Sequence, residues 1–135
     1  MEKIVVWYLR MSVMYFIVGA FLGILMVLLP GETNYFRSSH VHVNLLGFMS
    51  MMIYGVGYHI LPKFSGRNIY SPTIMHVQFW TGNAGLIGML AGWLFFAGST
   101  SNNTELMLAI SSLLAVVSVL LFAFNILKTI KAVQM

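Results

Sequence analysis

The apolar residues of this chain come in four long runs, and the charged side chains are confined to the ends of those runs. Met11 to Leu29 is the first, 19 residues without a charge, closed by Pro30-Gly31. A helix that crosses the hydrocarbon of a bilayer needs about 20 such residues, and a run of this length exceeds the apolar core of a secretory signal peptide. Four spans of roughly 22 residues take up about 88 of the 135 positions and leave only short connectors. The composition agrees, with 59% hydrophobic and 7% charged residues, against roughly 25% charged in a soluble domain. The expected fold is all-α, an integral membrane four-helix bundle. It forms one transmembrane domain over 1–135, with helices at about 8–29, 40–61, 72–97 and 105–127.

Local signals set these boundaries. Gly19-x-x-x-Gly23 is a small-residue spacing that lets helix backbones approach closely. Glu32 to Ser39 reads as a polar connector, Pro62 as the stop of the second run, and Lys63 to Ser71 as a basic hairpin loop. Ser71-Pro72 is a helix start, with Ser as N-cap and Pro in the first turn, where its missing N–H costs nothing. Gly98 to Asn103 reads as a turn, and Asn102-x-x-Glu105 has the form of a capping box. Lys3, Arg10, Lys63, Arg67, Lys128 and Lys131 fall on one side of the bundle and Arg37 on the other. The positive-inside rule then puts both termini in the cytoplasm and the chain in the plasma (inner) membrane as a multi-pass protein. The net charge of +4 is scattered at helix ends and forms no cluster, so nucleic acid is not an expected partner.

With no cysteine, only His, Met and the few carboxylates are left as metal ligands. The three acids, Glu2, Glu32 and Glu105, lie outside the apolar runs, and no phosphate loop or nucleophile–base pair is present, so hydrolysis and phosphoryl transfer are not expected. Ionisable groups inside a span are costly and mark function, which singles out the four histidines. His40 and His42 lie near the outer end of the second helix, His59 near its inner end, and His76 near the inner start of the third. His42 and His59 are 17 residues apart, about 25 Å along a helix, too far to share an iron within one chain. His40 and His42 project about 160° from one another and cannot sandwich one heme from the same regular helix. An outer bis-His site therefore needs a second copy on a two-fold axis, a methionine such as Met26, Met89 or Met107, or an open iron position. His40 also reads as an interfacial or supporting histidine.

His59 and His76 come to similar depth across the hairpin, as a candidate inner pair or as interfacial histidines near Lys63 and Arg67. On the third helix His76, Trp80, Asn83 and Ile87 share one face, and Gly82, Gly85, Gly88 and Gly92 form a nearly opposite stripe suited to helix packing. The eleven methionines read as lipid-facing or gap-filling residues rather than copper ligands. Trp7, Tyr8, Tyr35, Phe36 and Tyr70 read as membrane anchors.

The stretch from Arg37 through His40-Val41-His42-Val43-Asn44-Leu45-Leu46-Gly47-Phe48, and on to Tyr58-His59-Ile60-Leu61-Pro62-Lys63-Phe64-Ser65-Gly66, resembles the second helix of the heme–copper oxidase subunit I superfamily. It is most similar to the nitric oxide reductase large subunit and to short cbb-type cytochrome c oxidase subunit I homologues. Phe79-Trp80, followed by Asn83 and Gly85, is similar to the Phe-Trp-x-x-Asn-x-Gly pattern of that superfamily. The resemblance covers roughly residues 8 to 97. It implies that His42 is an axial ligand of a low-spin heme b near the outer surface and that Arg37 pairs with a heme propionate. His40, His59 and His76 are the further candidates for cofactor or metal binding.

Longer family members take the second ligand of that heme, and the histidines of their reducing centre, from helices beyond the fourth. The resemblance thus implies a heme site without the reductase reaction, and no catalytic residue is assigned. The His-x-His pair is also similar to a family of heme- and copper-containing membrane proteins linked to nitric oxide, which makes copper the alternative cofactor. The expected function is a membrane b-type cytochrome for electron transfer or diatomic gas binding. Its expected partners are a second copy of itself, the lipid bilayer, and a quinone or respiratory-chain redox partner. The alternatives are a copper- or nitric-oxide-responsive binding protein, or a cofactor-free subunit of a larger respiratory complex.

Overall fold

The computed structural model describes residues 2–96 and 101–130, with the backbone alone at 32–35. Among these residues there are four helices and no strand. Helix α1 spans Lys3–Leu28. A short 3₁₀ turn, Pro30–Glu32, leads into α2, which runs over 33–64 without a break and changes type twice. Its outer part is α-helical over Thr33–His42, its middle is π-helical over Val43–Met49, and its inner part is α-helical over Ser50–Phe64. Helix α3 spans Pro72–Phe95 and α4 spans Asn102–Thr129. In packing order, α1 lies along α2, α2 meets α3, and α3 lies along α4.

Several boundaries differ from the sequence expectation. Helix α1 begins at Lys3, because nothing between Lys3 and Arg10 breaks a helix. The polar stretch read as a connector before residue 40 is helical from Thr33 onward. Ser71 caps α3 as expected, its hydroxyl accepting from the Ile74 N–H at 3.3 Å with Pro72 at the first helical position. Helix α4, however, is capped by Ser101, which accepts from the Asn103 N–H at 3.3 Å, so Asn102 lies inside the helix and does not open a capping box. The expected turn from Gly98 lies partly outside the described residues, at 97–100.

Three helical stretches, Lys3–Leu28, Phe36–Phe64 and Asn102–Thr129, are long and apolar enough to cross a membrane. Helix α3 is 24 residues long but carries His76, Gln78, Asn83 and a glycine stripe. Gln78 and Asn83 point into the bundle: both are buried. The Tyr15 hydroxyl donates to Asn83 Oδ1 at 2.6 Å, and the Tyr58 hydroxyl donates to Gln78 Oε1. Asn83 Nδ2 donates to the Phe79 carbonyl at 2.7 Å, and Ser118 donates to the Gln78 carbonyl at 3.0 Å. A helix too polar to face lipid on all sides is thus accommodated by tyrosines and a serine on its three neighbours.

The glycine stripe of α3 is the seam with α4. A methyl added at Gly85 would lie 2.7 Å from both the Ala115 nitrogen and the Ser111 carbonyl, and one at Gly82 would lie 2.6 Å from Ser118 Oγ. Gly88 and Gly92 are closed off in the same way by Ser111 and Leu108. On α4 the matching face is Ser111, Ala115 and Ser118, all buried and all small, so two backbones come together where larger residues would hold them apart. Farther along α4, Asn125 clamps the 65–71 loop. Its Oδ1 accepts from the Ser71 N–H at 3.0 Å, and its Nδ2 donates to the Ser71 carbonyl at 2.9 Å. Thr129 Oγ1 accepts from the Tyr70 N–H at 3.0 Å.

Tyr8 is a correction. Expected as a membrane anchor, it is fully buried and donates to the Met75 carbonyl at 2.8 Å. Its ring meets Tyr54 and Phe79 edge-on at 6.0 and 5.0 Å between centroids, in the favourable T-shaped arrangement. Phe36 also packs against the core. Trp7 and Tyr70 are exposed near helix ends, where an anchor would lie. The Tyr35 side chain is outside the described residues.

The α3–α4 seam yields a direct test. Gly85→Val should destabilise the protein by about 1–3 kcal/mol or more, because the added carbons meet backbone that cannot rotate away. Gly31→Ala, where an added methyl meets nothing within 4 Å, should stay within about 0.5 kcal/mol. Unfolding midpoints of the detergent-solubilised variants measure both.

Candidate functional site

His40 and His42 sit at the end of the outer α-helical part of α2, immediately before it turns π-helical. The two rings are held differently. His42 Nδ1 lies 2.9 Å from the Ser38 carbonyl, one turn earlier on the same helix. A carbonyl can only accept, so Nδ1 carries the proton of the neutral ring and Nε2 keeps its lone pair. The half-buried ring lies against Trp93 of α3, with 4.6 Å between centroids and a tilt of 46°. One turn of α2 and one aromatic wall from α3 therefore fix both the tautomer and the direction of the imidazole, the arrangement usual for a metal-binding histidine.

His40 points the other way, onto α1. Its Nδ1 lies 2.9 Å from the Gly19 carbonyl, and its Cε1 would be 3.1 Å from a methyl at Gly23. The Asn44 amide fills the space over Gly19, where an added methyl would lie 2.6 Å from its nitrogen, and donates to the His40 carbonyl at 2.8 Å. Gly19-x-x-x-Gly23 is thus a seat for two polar side chains of α2 rather than a bare backbone contact. His40 ties α1 to α2.

The π-helical stretch follows from side chains that compete for its carbonyls. At its start Asn44 occupies the His40 carbonyl. At its end the Ser50 hydroxyl donates to the Leu45 carbonyl at 2.8 Å, and the Ser50 N–H reaches the same oxygen. Between them Gly47 is buried so tightly that an added methyl would lie 2.6 Å from the Tyr15 ring and 3.0 Å from Leu86. π-Helical insertions are rare and occur frequently at functional sites. No sequence rule applied above anticipates this one.

Arg37 is exposed, five residues before His42. Of the methionines at suitable depth, Met89 is buried and its sulfur accepts from Ser112 at 3.5 Å. Met26 and Met107 are half-buried.

At the other end of the bundle His59 and His76 open onto different cavities. His59 Nε2 lies 3.0 Å from Lys63 Nζ, and since an ammonium only donates, the lone pair of that nitrogen is engaged. His59 lines a cavity of about 250 Å³ with Tyr58, Lys63 and Arg67. His76 lines a separate one of about 460 Å³ between α1 and α3. Among the described residues no three His, Asp or Glu side chains gather as a metal site.

What sequence reasoning missed is the buried set Tyr8, Tyr15, Tyr54, Tyr58 and Asn125. Its signal was present in the spacing: Tyr8 and Tyr15 are seven residues apart with Ser12 between them, and Tyr54 and Tyr58 are four apart. Each pair lies on one helical face.

Fold and site together define a helical membrane protein in which one imidazole, held by its own helix and by Trp93, keeps its Nε2 lone pair near one end of the bundle. Residues 3–135 match the cytochrome c and quinol oxidase polypeptide I family, and the chain belongs to that family, the heme–copper oxidase subunit I family. No curated protein and no solved structure matches it.

The unequal roles of the two histidines can be separated without any cofactor. His40→Ala, which removes an interhelical hydrogen bond and opens space over Gly23, should cost about 1–3 kcal/mol. His42→Ala breaks a hydrogen bond within its own helix and loses the ring contact with Trp93, but no interhelical hydrogen bond, and should cost less. Thermal unfolding of the two variants in the same detergent makes the comparison.

Proposed function

We propose that this chain is a membrane b-type cytochrome in which His42 binds the iron of a heme b through Nε2. The observation that carries this reading is the His42 Nδ1 bond to the Ser38 carbonyl, which leaves Nε2 as a free lone pair on a ring already oriented by Trp93. These residues suit a heme iron, for which a neutral imidazole with its other nitrogen hydrogen-bonded is a common axial ligand. The exposed Arg37 pairs with a propionate in a charge-assisted bond. The heme, when bound, supplies one-electron transfer, or diatomic gas binding at an open axial position.

The remaining steps belong to the protein. The Ser38 carbonyl raises the basicity of the His42 ring and holds its orientation. Trp93 shields one side of that ring. His40, turned onto α1, keeps the outer ends of α1 and α2 in register so that His42 has a fixed backbone beneath it. His40 faces α1 and would not share an iron with His42; for electron transfer a second ligand would come from outside these helices. A second copy of the chain, related by a two-fold axis along the membrane normal, supplies it most simply through its own His42. The protein then sits in the inner membrane with its basic ends in the cytoplasm and exchanges electrons with a quinone or a respiratory-chain protein. His59 and His76, lining separate cavities, have no part in the site.

Purified protein should show a Soret band and, on reduction, sharp split α and β bands that disappear in His42→Ala and persist in His59→Ala and His76→Ala. A protein that shows no spectral change on addition of hemin would overturn the heme reading. Pyridine hemochrome analysis combined with the mass of the solubilised particle should give one heme for every two chains. One tightly held six-coordinate heme on a monomeric particle would overturn the shared site.

A further inference from the structure

A cavity away from His42 lies in the groove between α1 and α3 at the end where both helices begin. It holds about 460 Å³, within the size range of ligand sites, and its polar and apolar groups are segregated. Lys3 and His76 stand at its mouth, Lys3 on the first turn of α1 and His76 on the second turn of α3. Arg10 does not line the groove but lies beside it, against one of its walls. Its guanidinium lies over the Trp7 ring, 5.9 Å from the centroid, and side chains on a helix lean toward its N-terminus, which carries this cation back toward Lys3. Deeper in, the groove is walled by Trp7, Met11, Phe79, Trp80 and Ile87.

From His76 to Ile87 is 11 residues, about 16 Å along the helix and close to half of the roughly 30 Å hydrocarbon core. The one polar side chain in that depth, Asn83, is already paired through both its amide atoms, with Tyr15 and with the Phe79 carbonyl. The groove therefore offers cationic and N–H donors only at its mouth and apolar surface over one leaflet's depth. A ligand that matches has an anionic head and a long apolar tail. A neutral ring-headed amphiphile would find no converging donors inside.

We propose that this groove is a binding site for an anionic phospholipid, its phosphate held by Lys3, Arg10 and His76 and one acyl chain lying along α3 beneath Trp7 and Trp80. Basic groups near the cytoplasmic surface attract anionic headgroups, and pockets between transmembrane helices on that side bind them.

Acyl-brominated lipids quench tryptophans they touch, and the three tryptophans of the chain divide cleanly. Trp7 and Trp80 line the groove, and Trp93 stacks on His42. The full chain is reconstituted in phosphatidylcholine vesicles containing a small equal fraction of either brominated phosphatidylglycerol or brominated phosphatidylcholine. Phosphatidylglycerol should quench at severalfold lower mole fraction. A variant carrying Trp7→Phe and Trp80→Phe, which reports through Trp93 alone, should show no such preference. K3Q and R10Q should each reduce the preference about fivefold, and Ile87→Phe, which fills the apolar floor without touching the charges, should weaken quenching as well. Equal quenching of the unaltered chain by the two lipids would overturn the site, a result that needs no variant to fold. A preference that survives the combined K3Q and R10Q substitutions would overturn it too, as would displacement of brominated phosphatidylglycerol by an equimolar neutral quinone.

Discussion

Inside a bilayer two helices gain nothing from hiding apolar surface, since lipid tails are as apolar as leucine, and association rests on close packing and on polar groups that find one another. The seam between α3 and α4 is where this protein meets that condition. Gly82, Gly85, Gly88 and Gly92 let the Ser111–Ala115–Ser118 face approach until an added methyl would strike backbone at Gly85 and side chains at the other three. Everything else about α3 follows from that contact. Once α4 covers the glycines, Gln78 and Asn83 face α2 and α1, where Tyr58 and Tyr15 meet them. Trp93 is then placed against His42, and His76 and Trp80 are left along the groove on the far side. The helix that carries the glycine stripe and two buried amides is thus tied by polar contacts to all three of its neighbours.

Two histidines separated by a single residue divide the work of the outer end. His40 spends its proton on another helix and so joins α1 to α2. His42 spends its proton on its own helix and keeps its second nitrogen available. The same ring nitrogen ties two helices together in one case and stays within its own helix in the other, and the difference lies only in which carbonyl the ring meets. Asn44 completes the division by holding the His40 carbonyl and filling the space above Gly19.

Much of this was legible in the residues. The opposed faces of α3 follow from counting at 100° per residue, and both are found: the glycines against α4, and His76, Trp80, Asn83 and Ile87 along one groove. Ser71-Pro72 announced its helix start. The misses have physical causes. Tyr8 was read as an anchor because aromatic residues near a span end usually are, yet its hydroxyl finds the Met75 carbonyl inside the bundle, and only tertiary contact decides between these fates. The helix ahead of residue 40 was hidden by polar side chains that are equally at home in a connector. Depth along a hairpin says nothing about azimuth, and His59 and His76 open onto different cavities. The π-helical stretch depends on Asn44 and Ser50 each reaching a particular carbonyl, and a hydropathy pattern carries no trace of that.

That stretch has a consequence for how such a helix can change over time. In a continuous α-helix, inserting or deleting one residue turns everything beyond it by about 100° and would throw either the histidines or the tyrosines out of the bundle. A π-helical segment absorbs a residue locally, so the part of α2 bearing His40 and His42 and the part bearing Tyr54 and Tyr58 behave as two bodies joined by a swivel. The aromatic floor of the bundle can stay locked against α1 and α4 while the angle at which the imidazole is offered is reset above it.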